Sequence, residues 1–371
     1  MKTDKCKFFH RCAVRRPVAA GLIWLVLVGL FAGCMVPSRD GGARTVPEPP
    51  RFIRYWEPFT RTVVQGAYTS VTVREGQLEV WHAVSLEAGA IDDRSRTVDA
   101  LAVRRGATLD TLGEAEVVLR MADLIDDVPR LDGAPGLAPG RAFSRTYVMH
   151  DDEAGYVGLV CSYPEYGRYL HPALIVSPSG APGTWRYLGK LTGEPAAEIA
   201  SGRRVWSDGG TILRLADGRW RIYTNGYGEW NGLVAMEADT LSGPWAFLRH
   251  ADGRVRMLTP NIPTMGQGLG IFPNVLRVSE GEWHLWLSDR WIPDAIWHFV
   301  STDGLDWRIY GRQPEIVRAE SEDYIKCMRS FLAPDGRHIV GLLSVAVNDP
   351  GAQRAPPWIM HASRLPVGLA P

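Results

Sequence analysis

Apolar and polar positions alternate along most of the chain beyond residue 50, with a period of two, which is the signature of half-buried strands. The stretch 206–245 shows it most plainly. GTILRL runs into Asp217-Gly218, WRIYT follows, the loop NGYGEWN leads to GLVAMEA, and a Ser-Gly-Pro-Trp corner leads to WAFLR. This pattern predicts four short strands. An acidic residue and a glycine between two alternating runs is a strong short-range hairpin signal. No helical period competes with it.

The same hairpin recurs as VTVREGQLEVWHAV (71–84), YVMHDDEAGYVGLV (147–160), ILRLADGRWRIYT (212–224), VLRVSEGEWHLWL (275–287) and SFLAPDGRHIVGLL (330–343). The turn glycines are Gly76, Gly155, Gly218, Gly281 and Gly336, where a positive φ is expected. A third strand and a polar corner follow most hairpins, and Trp185, Trp245 and Trp307 mark three of those corners. The last copy ends in WIMHASRLP with no fourth strand of its own, so an N-terminal strand around Arg54–Pro58 is expected to complete it. Five radially repeated four-stranded antiparallel units describe an all-β, five-bladed β-propeller over residues 51–371.

Composition agrees: the 371 residues are 46% apolar, with 39 Gly, 26 Pro and 14 Trp. Formal net charge is zero, but Lys2, Lys5, Lys7, Arg11, Arg15 and Arg16 all precede residue 34, so the rest is slightly acidic. That argues against a nucleic-acid partner, which calls for a basic face. The basic start, the apolar run Val18–Gly33 and Ala32-Gly33-Cys34 read as an export signal over residues 1–33. Ala-Gly-Cys resembles a bacterial lipobox, which implies lipidation at Cys34, a flexible Pro/Gly-rich tether over 34–50, and a monomeric domain held on a membrane of the cell envelope, at the outer membrane or periplasm. An uncleaved anchor or a plain secretory signal is the other reading of the same run. Cys161 and Cys327 remain in the folded part and read as two buried thiols. No metal-ligand spacing is present.

Antiparallel strands alternate ends, so the hairpin turns share one face of such a ring. The loops 85–96, 161–171, 225–231, 288–295 and 347–357 share the other. These loops are rich in aromatic and charged residues. Trp and Tyr stack on sugar faces while carboxylates and guanidinium groups bind hydroxyls, so a carbohydrate is the expected ligand.

Ser301, Asp303, Gly304 and Trp307 (SxDGxxW) and Ser242–Trp245 (SGPW), with the five hairpins, resemble the five-bladed glycoside hydrolases of the arabinanase/β-xylosidase and invertase type. The resemblance implies carboxylates around an axial pocket and a general acid opposite a base or nucleophile. Propellers of this type can hold a structural Ca²⁺ in the central channel; no other cofactor is implied. Aligning the hairpins puts Ala67, Arg145, Asp208, Phe272 and Lys326 at the axial start of the inner strands. Only Asp208 is acidic, and Ser207-Asp208-Gly209-Gly210 resembles the segment that carries the family's general acid. Asp208, Glu229 and Asp289 are therefore the candidate catalytic carboxylates. Trp206, Tyr166, Tyr227, Trp230 and Trp291 are candidate stacking platforms, and Arg145, Arg290 and Arg329 could ring the axis and bind an anionic sugar. The first inner strand, VVQGAYTSV, carries no carboxylate, which keeps open a second function: a propeller that binds a polysaccharide or a protein without cleaving it. His150, His171 and His298 do not share a ligand spacing and read as solvated or core histidines.

Overall fold

Strand after strand pairs with its neighbour in sequence, as the hairpins require. The computed structural model describes residues 51–52, 60–62, 67–84, 100–124, 144–162, 171–200, 205–226, 232–258, 271–288, 295–311, 314–317, 322–347 and 358–367. Two short strands come first, β1 (Arg51–Phe52) and β2 (Thr60–Thr62). The first blade is β3 (Ala67–Arg74), β4 (Gln77–Val84), β5 (Ala100–Gly106) and β6 (Glu116–Arg120). The second is β7 (Ser144–Asp151), β8 (Gly155–Ser162), β9 (His171–Ser177) and β10 (Arg186–Lys190). A helix α1 (Glu194–Ala200) leads to the third, β11 (Val205–Arg214), β12 (Trp220–Gly226), β13 (Gly232–Ala238) and β14 (Ala246–Phe247). The fourth holds β15 (Ile271–Ser279), β16 (Glu282–Ser288), β17 (Ala295–Ser301), β18 (Arg308–Ile309) and β19 (Ile316–Val317). The fifth holds β20 (Glu322–Leu332), β21 (His338–Val347) and β22 (Trp358–Pro366).

Four of these sheets have four strands and one has six, all antiparallel. The inner strands form a closed circle: β3 lies against β7, β7 against β11, β11 against β15, β15 against β20, and β20 against β3. The chain is thus a β-propeller. Radial repetition turns the inner edge of each sheet toward the axis, where it is short and protected.

Three expectations need correction. The strand that completes the last blade is β2, with Thr60 opposite Ala362 and Thr62 opposite Met360, rather than a strand over Arg54–Pro58. Pro58 lacks the N–H that a ladder needs, whereas Thr suits a strand. The fourth blade exceeds four strands because β18 and β19 both pair with β17, and β1 adds to β19, with Arg51 opposite Val317. The turn glycines have positive φ at Gly76, Gly155, Gly218 and Gly336 but not at Gly281, where the β15–β16 register slips between Arg277 and Ser279. Helix α1 was also absent from the strand pattern; Pro195 sits in its first turn, where its missing N–H costs nothing.

The core is divided among the blade junctions. Trp81, Tyr156 and Trp185 pack between the first and second blades, and Ile222, Met236 and Trp245 meet Val157 and Leu174 between the second and third. Tyr223, Trp283 and Trp307 fill the next junction, Trp286 and Met328 the one after, and Leu78, Val80, Phe331 and Leu342 close the circle. Each corner tryptophan is buried against the blade before its own, which accounts for its recurrence. Ser301 Oγ accepts from the Asp303 and Gly304 amides at 3.2 and 3.0 Å, which winds the corner tightly. Gly304 has φ +71, and a Cβ there would lie 2.8 Å from Tyr223 Oη, so only glycine fits. The Gly304 carbonyl in turn accepts from Tyr223 Oη at 2.8 Å and ties the third blade to the fourth.

Two buried histidines give the fold a pH dependence. Burial pulls His82 down to about 4, helped by Arg104, and burial with the neighbouring His298 lowers His284. Each folded value lies below the unfolded one near 6.5, so the unfolded chain binds more protons between those limits. Stability is expected to be full above pH ~6.5 and to fall as pH drops through the window, with a slope of about 1.4 kcal/mol per pH unit for each histidine that titrates. Urea unfolding at a series of pH values measures it. A flat profile between neutrality and pH ~4.5 would contradict the assignment, and His82→Gln should remove part of the slope.

Candidate functional site

Every inner strand is irregular at the same end. Ala67 pairs with Ala83 but the next pair is Ser70 with Trp81; Ser144 pairs with Cys161 and then Tyr147 with Leu159. Ile271 pairs with Ser288 and then Asn274 with Trp286, while β20 slips between Ile325 and Cys327. Each is a bulge, which bends the strand and re-aims its side chains, and bulges concentrate beside active sites. The one in β11 is the widest. Val205 pairs with Gly226 and the next pair is Gly210 with Thr224, so Trp206, Ser207, Asp208 and Gly209 all lie opposite Asn225. The axial start of the third inner strand, which holds the only acidic residue of the five aligned positions, is thus the most distorted of the five.

Phe272, in the β15 bulge, is a non-glycine residue at φ +55 and is buried. Such a backbone costs about 1–3 kcal/mol and collects at functional ends of folds. The bulge turns the Pro273 carbonyl toward its neighbours: it accepts from Thr211 Oγ1 at 3.1 Å and from Arg329 Nη1 at 2.9 Å. Thr211 Oγ1 also accepts from the Val275 amide at 3.0 Å, and Ser70 Oγ accepts from the Val148 amide at 2.8 Å. These bonds give the Val275 and Val148 amides a partner in the neighbouring blade.

The structure brings some sequence candidates to this end by their backbone. Arg145 lies in the β7 bulge, and Trp206 and Asp208 lie in the β11 bulge, their side chains outside the described residues. Arg329 is fully placed: it is buried on β20, with its guanidinium carbon 5.5 Å from the centre of the Tyr147 ring on β7. Burial raises the Tyr147 phenol above its ordinary value and the Arg329 charge opposes that rise. Glu229, Tyr227 and Trp230, then Tyr166, then Asp289, Arg290 and Trp291, lie outside the described residues, as do Cys34 and the whole of residues 1–50. No group of three or more His, Cys, Asp or Glu side chains able to hold a metal occurs among the described residues.

Two residues at this end escaped the sequence reading. Asn225, opposite the β11 bulge, is fully buried and neither amide atom has a hydrogen-bond partner among the described residues. His82 holds the same place opposite the first bulge, its Nδ1 3.5 Å from the Val80 carbonyl. A polar residue inside an apolar strand run, as in WRIYTNG, was the available signal. His298, read as a core histidine, is one: it is buried on β17, two strands out from β15.

No family model and no curated relative matches the sequence. Solved structures do match the fold. An α-L-arabinofuranosidase from Lactobacillus brevis is 13% identical, covering 83% of this chain and 95% of its own, with a TM-score of 0.58. A putative glycoside hydrolase from Parabacteroides distasonis is 12% identical, covering 85% and 92%, with a TM-score of 0.55. A GH43_1 enzyme from Xanthomonas citri, solved with xylotriose, is 12% identical, covering 83% and 89%, with a TM-score of 0.53. At such identities the likeness is one of fold, and the chain shares the β-propeller of these glycoside hydrolases.

Proposed function

We propose that the protein is a glycoside hydrolase that binds an oligo- or polysaccharide at the bulged end of the ring. The observation that carries this reading is the four-residue bulge bearing Asp208 at the axial start of β11. Cleaving a glycosidic bond takes an acid on the leaving oxygen and a carboxylate on the anomeric side. Asp208 supplies one of the pair, with Glu229 or Asp289 as the other. Trp206, Trp230, Trp291, Tyr227 and Tyr166 stack on sugar rings, and Arg145 and Arg290 bind hydroxyls or carboxylates. Lipidation at Cys34 holds the domain on the envelope, where such polymers are met.

A second reading is favoured by one feature of the sequence. Ala67, Arg145, Phe272 and Lys326, the counterparts of Asp208, are not acidic. A propeller with a single axial carboxylate would bind a polysaccharide without cleaving it.

Release of reducing ends from arabinan, xylan, fructan and uronate polymers separates the two. Wild type is expected to cleave at least one of them, and Asp208→Asn to lower the rate by about 10²-fold or more, the usual weight of a general acid or base. An unchanged rate in Asp208→Asn takes that residue out of the mechanism. Saturable binding with no cleavage by wild type establishes the second reading.

A further inference from the structure

Arg329 is 1% exposed, yet it has no carboxylate partner among the described residues. Its Nη1 donates to the Pro273 carbonyl on β15, and its guanidinium faces the Tyr147 ring on β7. In the closed circle β20 touches β15 and β3, while β7 lies beyond β3. The contact between Arg329 on β20 and Tyr147 on β7, strands that are not neighbours in the circle, is therefore made across the axial space that the five inner strands enclose.

The remaining donors, Nε and Nη2, have no hydrogen-bond partner among the described residues. These two groups share one edge of the guanidinium, and their N–H bonds run parallel. That edge is the fork that matches a carboxylate in plane. Arginine does not give up its proton inside a protein, so the charge stays. A buried charge facing only a carbonyl and an aromatic ring is poorly compensated, because neither carries a full opposite charge.

We infer that Arg329 holds a small anion in the axial channel, a carboxylate or a halide seated in the Nε/Nη2 fork. The anion comes either from solution or from the carboxylate of an acidic sugar. The second source rests on the carbohydrate reading above; the first does not. Bound only by the folded protein, the anion stabilises it in a saturable way.

Thermal unfolding of the full chain in sodium bromide, sodium acetate and sodium glucuronate tests this, with Arg329→Met as the reference for general salt effects. The wild-type Tm is expected to rise by several degrees and saturate, while Arg329→Met shows no saturable part. Arg329→Lys keeps the charge without the fork and should retain the bromide effect while losing most of the acetate effect. Saturation by glucuronate at far lower concentration than acetate identifies the sugar carboxylate as the occupant; equal responses identify a free anion. Identical responses of wild type and Arg329→Met to all three salts would overturn the site. If the variants fail to fold, bromide NMR linewidths with wild type decide: broadening that acetate reverses supports the site, and its absence refutes it. A protein that takes bromide but cleaves no polymer refutes only the hydrolase reading.

Discussion

Replacing Glu315 with alanine should lower the unfolding free energy by about 2–3 kcal/mol, the cost of leaving a buried donor without its charged acceptor. Glu315 and His298 are both buried, and His298 Nδ1 lies 2.6 Å from Glu315 Oε2. The contact continues through the fourth blade: His298 Nε2 is 2.9 Å from His284 Nδ1, and His284 Nε2 is 3.0 Å from Glu282 Oε1. A carboxylate only accepts, so His298 carries its proton on Nδ1 and presents Nε2 as an acceptor to His284 Nδ1–H. Trp286 holds both rings in place, stacked at 12° and 14° to them. Truncation at 315 strands the His298 donor in an apolar junction and frees the tautomer of the whole chain. Urea unfolding at pH ~7.5, above both histidine windows, isolates this effect. Glu315→Gln, which keeps an acceptor, should recover part of the loss. A loss below about 1 kcal/mol for Glu315→Ala would mean that the chain contributes no more than an ordinary hydrogen bond.

Glu79→Ala should cost a comparable amount, about 3 kcal/mol, by loosening the first blade from the second. The Glu79 carboxylate is buried and accepts from Thr72 Oγ1 at 2.8 Å, Tyr156 Oη at 2.7 Å and Arg105 Nε at 3.0 Å. Tyr156 comes from β8, so its bond spans the junction. It packs 5.1 Å from Trp81, whose Nε1 donates to Thr72 Oγ1 at 2.9 Å. Arg105 is half-exposed and can rehydrate once Glu79 is gone, whereas Thr72 and Tyr156 are buried and cannot. The loss should therefore track Tyr156. In a double-mutant cycle with Tyr156→Phe, the coupling is expected at about 1.5–3 kcal/mol, as for a hydrogen bond to a charged group. Additive effects of the two changes would show that Tyr156 contributes by packing alone.

The blades were legible because their signals are local. An alternating run, a turn with Gly218 or Gly336, and a second run specify a hairpin without reference to the rest of the chain. The corners at Trp185, Trp245 and Trp307 recur because each fills the same junction against the preceding blade. What stayed hidden depends on partners far away in sequence. β1 and β2 are too short to show a period, and only the free edges of β19 and β22 define them. The four-residue bulge around Asp208 exists only in the register between β11 and β12, so alignment of the hairpins found the position but not the distortion. The chain from Glu282 to Glu315 crosses from β16 through β17 to the residue before β19, and the unshared edge of Arg329 depends on Tyr147 and Pro273. Neither arrangement has a signature in the residues themselves.

The strand that closes the ring also sets a timetable for it. Thr60–Thr62 leaves the ribosome long before its partners Met360–Ala362 exist. At about 5–20 residues per second the wait is roughly 15–60 s. Through that interval the first blade has no fifth blade to lean on, and β20, β21 and β22 are the last to arrive. Both flanks of the gap expose apolar surface, Leu78 and Val80 on one side and Phe331 and Leu342 on the other once made. Nascent chains caught before residue 362 are open arcs with sticky ends, and the three-residue clasp, Thr60 to Thr62, is the step that turns an arc into a circle.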